Sequence, residues 1–231
     1  MALYANSQRL VIFDADGTIV DAFHAIEATF LAHGMAIGDL ERFQKRHRLL
    51  KYLGGLREFP TNLRRQFGRQ SRQRLRATLT DIYREQASFY PGIGELLRTL
   101  LAAPEVRVGL VTRNVTNEPE ETLKRLFARH GIDLAAFDYF ARIPQNEEKT
   151  RAFRQAREAL AVNPARSIAC GDEYGDYRAA IHAGFYPFVV AYGFADRESL
   201  TDDYDVPREV ISASPAEFSE RLLHAVDLFT P

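Results

Sequence analysis

The sequence predicts an α/β protein: a doubly wound parallel sheet into which an all-helical segment is inserted. Three observations carry that expectation. From about residue 90 onward, short apolar runs alternate with amphipathic helical patterns, as parallel strands joined by crossover helices require. Between the first apolar run and residue 90 the apolar residues recur only at helical spacing. Finally, the residues just after successive apolar runs are polar and mostly acidic, which suits the ligand-binding end of an open sheet.

The elements follow in order. "RLVIF" (9–13) opens as a buried strand and runs into "DADGT". Asp21 is placed to cap a first helix carrying Phe23, Ile26 and Phe30, and Leu75, Leu79, Ile82 and Tyr83 form a second helical stripe. "YLGGLREFP" (52–60) breaks the block between them. After Pro91-Gly92, the residues Ile93, Leu96, Leu97, Leu100 and Leu101 share one helix face. "VRVGLV" (106–111) reads as a strand, followed by a helix over about 118–130 that Gly131 ends. A weaker strand is expected near "FDYF" (137–140). The next helix, about 147–161, presents Ala152, Phe153, Ala156, Ala159 and Leu160 on one face. "SIAC" (167–170), a helix over about 175–183 and "PFVVAY" (187–192) complete the alternation. "SPAEF" (214–218) combines a capping box with Pro at the first helical position and starts a C-terminal helix. Residues 1–20 and 90–231 are therefore expected to form the sheet-bearing core, and 21–89 a helical cap joined by linkers near 17–21 and 88–92.

Composition narrows the class. The 231 residues carry a formal charge of −1, which hides a split. Residues 22–89 hold 13 Lys+Arg against 6 Asp+Glu, and the remainder 17 against 25. Two bodies of opposite sign can hold an anion where they meet. Only Lys45, Lys51, Lys124 and Lys149 are lysines, so Arg is also the default solvated residue here. A single cysteine, Cys170, excludes an internal disulfide and a thiolate metal cluster, and its place at the end of an apolar run suits a buried thiol. The first residues lack a signal-type apolar core and no stretch reaches the length of a membrane span. A cytoplasmic enzyme, monomeric or homodimeric, is the expectation. The run "RRQFGRQSRQRLR" (64–76) has one aromatic and reads as a solvated helical face rather than a nucleic-acid stripe.

The strand ends carry the chemistry. Asp14-Ala15-Asp16-Gly17-Thr18 follows the first strand, Thr112-Arg113-Asn114 the second, and Gly171-Asp172-Glu173-Tyr174-Gly175-Asp176 follows "SIAC". Lys149 opens the helix leading into that last strand. With "DADGT" as first motif, Thr112 as second, Lys149 as third and "GDEYGD" as fourth, the chain closely resembles the haloacid dehalogenase superfamily. Within it the likeness is to the Mg²⁺-dependent phosphatase branch, phosphoglycolate-phosphatase-like, with a helical cap inserted after the first motif. The order is right and the resemblance covers essentially the whole chain. Two departures stand out: Thr150 follows Lys149 where relatives commonly have Pro, and Glu173 stands where they often have Ser.

The residue chemistry agrees with that likeness. Side chains two apart in an extended segment point the same way, so Asp14 and Asp16 can face one site. An oxygen-seeking divalent cation offsets the repulsion among Asp14, Asp172 and Asp176. Mg²⁺ suits a few carboxylates, waters and a substrate phosphate, whereas no His lies near these motifs. The resemblance implies the roles. Asp14 attacks phosphorus and forms an aspartyl-phosphate; Asp16 protonates the leaving oxygen, then deprotonates water, and offers its backbone carbonyl to the metal. Asp172, and Asp176 directly or through water, complete the metal site. The Thr112 hydroxyl, the Arg113 amide and the Lys149 ammonium hold the phosphoryl oxygens. Gly17 lets the chain turn away into the cap linker.

Plainer readings compete at each position. Thr112 can cap the loop after it, Lys149 can pair with Glu147 or Glu148 as a solvated helix residue, and Asp176 can cap its own helix. The side chains of Arg113 and Asn114 read as structural, and Glu173 as solvated or supporting Lys149. In the cap, Arg57 beside Gly54-Gly55 is the candidate substrate contact.

The function expected is hydrolysis of a small phosphorylated metabolite, with neither nucleic acid nor membrane as partner. A phosphosugar mutase of the same superfamily shares all four motifs, and a non-catalytic binding module on this scaffold is the alternative from another class. A dehalogenase lacks the second acid and a phosphonate-cleaving relative replaces it with Ala, so Asp16 argues against both, although Lys45 and Lys51 are available for a cap Schiff base.

Overall fold

The computed structural model describes residues 7–34 and 72–229. Among these residues six parallel strands form one sheet: β1 (Arg9–Phe13), β2 (Val106–Thr112), β3 (Tyr139–Arg142), β4 (Ser167–Gly171), β5 (Tyr186–Val190) and β6 (Ile211–Ser212). Their order across the sheet is β3-β2-β1-β4-β5-β6. The winding runs outward from β1 to β3 and then resumes on the other side with β4. The loops after β1, β2 and β4 therefore meet where the order reverses, which is where such sheets open a crevice.

The continuous apolar run of β1 is explained by burial on both faces. Leu10 and Ile12 pack with Val111 and Ala169 against Ala152, Phe153, Ala156, Ala179 and Ala180. Those five come from α5 (Thr150–Ala159) and α6 (Tyr174–Ala183), the helices of that layer. Val11 and Phe13 point the other way, toward Leu96, Leu97, Leu123, Phe127, Phe218 and Leu222. That opposite layer is built by α3 (Ile93–Ala102), α4 (Pro119–Arg129) and α7 (Pro215–Ala225). Phe218 meets Phe13 edge to face at a centroid distance of 6.3 Å. The single cysteine, Cys170, is buried among the apolar residues of this layer, and burial lifts its thiol pKa well above the usual range.

Between β1 and α3 lie α1 (Ala22–Ala32) and α2 (Arg72–Glu85). Asp21 caps α1, accepting from His24 N at 3.2 Å. The chain leaves and re-enters the sheet side by side: Val20 bridges Phe89 antiparallel, Asp21 N donates to Ser88 O (2.9 Å) and Tyr90 N to Ile19 O (3.0 Å). Leu75, Leu79, Ile82 and Tyr83 are buried as one stripe and join Ile26 and Phe30 in the core layer beneath. The glycine break at 52–60, Lys45, Lys51, Arg57 and residues 64–71 of the Arg-rich run lie outside the described residues. Among the described residues no helix is long and apolar enough to cross a membrane.

Several expected boundaries shift. The weak strand lies at Tyr139–Arg142 rather than 137–140, because Phe137 closes a 3₁₀ turn over Leu134–Ala136. Helix α5 starts at Thr150 with Lys149 as its N-cap and ends before Leu160, which leaves Ala159 exposed rather than on the buried face. The short β6 and a π turn at Ser199–Asp203 have no counterpart in the sequence pattern; each is too short for periodicity to register. The C-terminal capping box forms only in part. The Ser214 side chain accepts from Glu217 N (3.2 Å), while the Glu217 carboxylate accepts from Ala213 N (2.7 Å) instead of from the cap residue.

Candidate active site

Three carboxylates converge at the strand tips. One oxygen each of Asp14, Asp172 and Asp176 lies within 4.8 Å of the others, and all three residues are buried. Asp14 follows β1, its amide donating to Cys170 O (2.8 Å) and its Oδ1 accepting from Ala15 N (2.8 Å). Asp172 follows β4 and is fully buried; its Oδ2 accepts from Phe194 N at 2.6 Å, while its Oδ1 has no hydrogen-bond partner among the described residues. Asp176 lies in the first turn of α6, where Oδ2 accepts from Glu173 N (3.3 Å). It thus has a helix-capping contact as well as a place in the cluster.

Lys149 supplies the nearest positive charge. Although only 2% exposed, its Nζ lies 2.8 Å from Asp14 Oδ2 and 2.7 Å from Asp176 Oδ1. Burial alone would lower its pKa, but Asp14 and Asp176 hold it above the usual value. Pairing with Glu147 or Glu148 does not occur; Glu148 pairs with Arg178 instead. Three carboxylates against one ammonium leave the cluster formally two charges short, an expensive state for buried groups. Burial raises the Asp14 carboxyl to about 7 despite Lys149, with Asp176 and Asp16 adding to the rise. Asp172 goes well above the carboxylate range for the same first reason, reinforced by Glu173 and Asp14.

Asp16 faces elsewhere. Its Oδ1 accepts from Tyr83 Oη (2.9 Å), and Asn114 Nδ2 donates to both its oxygens (3.1 and 3.0 Å). Its carboxylate stands outside the three-acid cluster, so only its main-chain carbonyl remains for the metal role expected of it. Burial lifts it to about 6, with Tyr83, Asn114 and Lys149 working against the rise. Two adjacent acids thus occupy different environments, one beside an ammonium and two further acids, the other between neutral donors.

Around them, Thr112 is fully buried at the end of β2, and its Oγ1 accepts from Asn114 N (3.0 Å), the loop-capping contact. That bond leaves the Thr112 hydroxyl proton unassigned. Glu173 does not stand free; it pairs with Arg113 (2.9 Å), joining the segments after β2 and β4. A carboxylate this long, in place of a short hydroxyl, reaches the Arg113 guanidinium. Sequence reading takes Asn114 as structural and Tyr83 as core, yet both hold the Asp16 carboxylate. Asn114 sits two beyond Thr112, the same parity that aligned Asp14 and Asp16, and that signal was available. Tyr83 carried none, because its helical spacing marked it as core.

Gly17 has φ +87°, and a Cβ there would collide with Asp172 Oδ2. Gly193, after β5, approaches from the other side: its Cβ would strike Gly17 O and the same carboxylate oxygen. The glycine in "DADGT" is thus needed for close approach as well as for the turn.

These pKa values set a direction for stability without metal. A carboxyl that holds its proton more tightly when folded stabilises the fold at low pH. That contribution is complete below its unfolded value of 3.8 and is lost as pH rises through about 6 for Asp16 and about 7 for Asp14. For Asp16 the loss is about 3 kcal/mol. In EDTA, the contribution of this pair to the unfolding midpoint should fall between about pH 4 and pH 7, so the Asp16→Asn variant should lose less stability over that range than the unmodified protein. Parallel pH profiles for the two proteins would contradict the assignment.

The comparisons with known proteins bear on the same residues. A family model described as haloacid dehalogenase-like hydrolase matches residues 8–184. N-acetylmuramic acid 6-phosphate phosphatase from Pseudomonas aeruginosa is 29% identical over 226 residues, which cover 88% of this chain and 93% of that protein. Phosphoglycolate phosphatase from Synechococcus elongatus is 28% identical over 200 residues, or 82% and 87% of the two chains. A haloacid dehalogenase-like family hydrolase from Streptococcus pneumoniae shares the fold, with a TM-score of 0.63 at 22% identity over 91% of this chain and 96% of that one. With the matched segment spanning every strand tip just described except that of β5 and β6, the chain belongs to the haloacid dehalogenase-like hydrolase family.

Proposed function

We propose that this chain, a phosphatase of its family, hydrolyses a small phosphomonoester by way of an aspartyl-phosphate on Asp14, with Mg²⁺ as its cofactor. The observation that carries the reading is the division of labour between the two acids of "DADGT". Asp14 sits against Lys149 within the acidic cluster, and Asp16 is held apart between Tyr83 and Asn114.

The cluster suits a divalent oxygen-seeking cation on two counts. Among the described residues its charge deficit equals that of such an ion, and Asp172 Oδ1 is buried without a hydrogen-bond partner. Asp14, Asp172 and Asp176 would hold the ion through their carboxylates and Asp16 through its backbone carbonyl. When bound, the ion supplies positive charge to the phosphoryl oxygens and draws the nucleophile and substrate together.

The remaining steps belong to the chain itself. An Asp14 carboxylate oxygen attacks phosphorus in line, the ester P–O bond breaks, and the leaving oxygen takes the proton from Asp16. Asp16, now ionised, removes a proton from the water that attacks the acyl-phosphate, so both partners return to their starting forms. The Lys149 ammonium, the Thr112 hydroxyl and the Arg113 amide stabilise charge on the transferring group. Residues 1–20 and 90–231 would act as the catalytic core and 21–89 as the cap that selects substrates, Arg57 among them, in a cytoplasmic monomer or homodimer. The test is phosphate release from a panel of phosphate esters, ranked by kcat/KM. Release should require Mg²⁺, stop in EDTA and resume when Mg²⁺ is restored. A bisphosphate-dependent isomerisation without net release would instead assign a mutase, and turnover indifferent to EDTA would remove the metal from the reading.

A further inference from the structure

Resting on that reading, we propose that Tyr83 is a positioning residue for the second acid, the contact through which the helical insert sets the orientation of the Asp16 carboxylate. Tyr83 belongs to α2, outside the four motifs, and is 1% exposed. Its hydroxyl donates to Asp16 Oδ1 at 2.9 Å across 67 residues of sequence. Among the described residues, the other hydrogen-bond donor to that carboxylate is Asn114, which the core provides. Asn114 is itself fixed, its Oδ1 accepting from the amide and the hydroxyl of Thr116. One donor thus comes from the sheet's own loop and the other from the inserted helix, and together they fix the plane of the carboxylate.

The helix that delivers Tyr83 is fastened on both sides of it. Three residues before, Thr80 Oγ1 accepts from Asn117 N at 2.8 Å. One residue after, Arg84 donates to Thr122 Oγ1 at 3.2 Å and pairs with Glu118 at 2.8 Å. Arg129 of α4 returns the contact, donating to Arg84 O at 2.9 Å and to Ala87 O. Every one of these partners is in α4 or the segment just before it. A surface ion pair by itself is worth little, but this set of bonds to the backbone and buried hydroxyl groups leaves the phenol few places to go. The hydroxyl does not reach the acidic cluster, so its removal should spare nucleophile and metal site while loosening the acid.

That distinction gives the test. kcat/KM reports events only as far as departure of the leaving group. An alkyl phosphate needs a proton from Asp16 at that point; p-nitrophenyl phosphate, whose leaving group departs as a stable anion, does not. Tyr83→Phe should lower kcat/KM for an alkyl phosphate by about 10- to 100-fold, a fraction of what general acid catalysis contributes, and for p-nitrophenyl phosphate by no more than about threefold. In an Asp16→Asn background the same substitution should add no further loss for the alkyl ester, since the group it positions is gone. Unfolding midpoints with and without Mg²⁺ check that the variant folds and keeps its metal response. Equal losses on both esters, or a full additional loss in the Asp16→Asn background, would make Tyr83 a merely structural residue and overturn the proposal. The alkyl ester is taken from those the wild-type protein hydrolyses in the panel; a wild-type protein that releases phosphate from no ester of the panel would instead bring down the proposed reaction and this inference with it, which separates the two failures.

Discussion

Asp14→Asn is expected to cut phosphate release by at least about four orders of magnitude, because the reaction would lose its nucleophile rather than an assisting group. The substitution is nearly isosteric. An Asn Oδ1 can still accept from Ala15 N as Asp14 does at 2.8 Å, but its Nδ2 donates and so gives up the contact that Asp14 Oδ2 makes with the Lys149 ammonium. What disappears is the anionic oxygen 2.8 Å from the Lys149 ammonium. A neutral amide does not form an acyl-phosphate under these conditions, and Asp16, held on Tyr83 and Asn114, is not aimed to replace it. The same change removes one of three buried acids from an undercharged cluster, so the metal-free variant should unfold no earlier than the wild type at pH 8. Its response to Mg²⁺ should weaken, since one of the carboxylates proposed to hold the ion has gone. Turnover within about tenfold of wild type would take Asp14 out of the nucleophile's role.

Lys149→Met comes next in size and acts on stability as well as on rate. Lys149 is buried and bridges Asp14 and Asp176. Removing one member of such an arrangement leaves charge uncompensated and typically costs about 3–5 kcal/mol, or roughly 6–20 °C in unfolding midpoint for a chain of this size. The loss should depend on pH. With Asp14 at about 7 already, the abandoned carboxyls protonate readily, so the deficit should be largest near pH 8 and shrink toward pH 5. Added Mg²⁺ should restore part of the stability without restoring turnover, because in the proposed mechanism the ammonium also steadies the phosphoryl oxygens. A variant as stable as wild type at pH 8 would show that Lys149 is not what balances the cluster.

Much of this architecture was legible in the chain. The sheet could be read because the strands of a doubly wound fold are buried on both faces and so appear as unbroken apolar runs, such as Leu10 to Phe13. The acids could be read because they fall immediately after such runs, where the fold always places a crevice. Short elements were not legible: β6 has two residues, and no period can be measured over two. Tyr83 escaped for a different reason. A buried tyrosine in an amphipathic stripe is indistinguishable from any other core aromatic until its hydroxyl is seen to meet Asp16. Glu173 escaped as well, since nothing in "GDEYGD" tells whether a carboxylate there reaches Lys149 or Arg113.

By itself, then, the sequence determined the fold class, the order of the motifs and the identity of the acids and the lysine at the strand ends. Those properties are local: hydrophobic period, capping chemistry and residue type are written within a few positions of one another. Only the tertiary structure decided which acid stands with Lys149 and which with Tyr83 and Asn114, and which glycines must stay bare for Asp172 to be approached from both sides. Those are contacts between segments as much as 98 or 176 positions apart, and a buried charge is governed by what packs against it in space rather than by its neighbours along the chain.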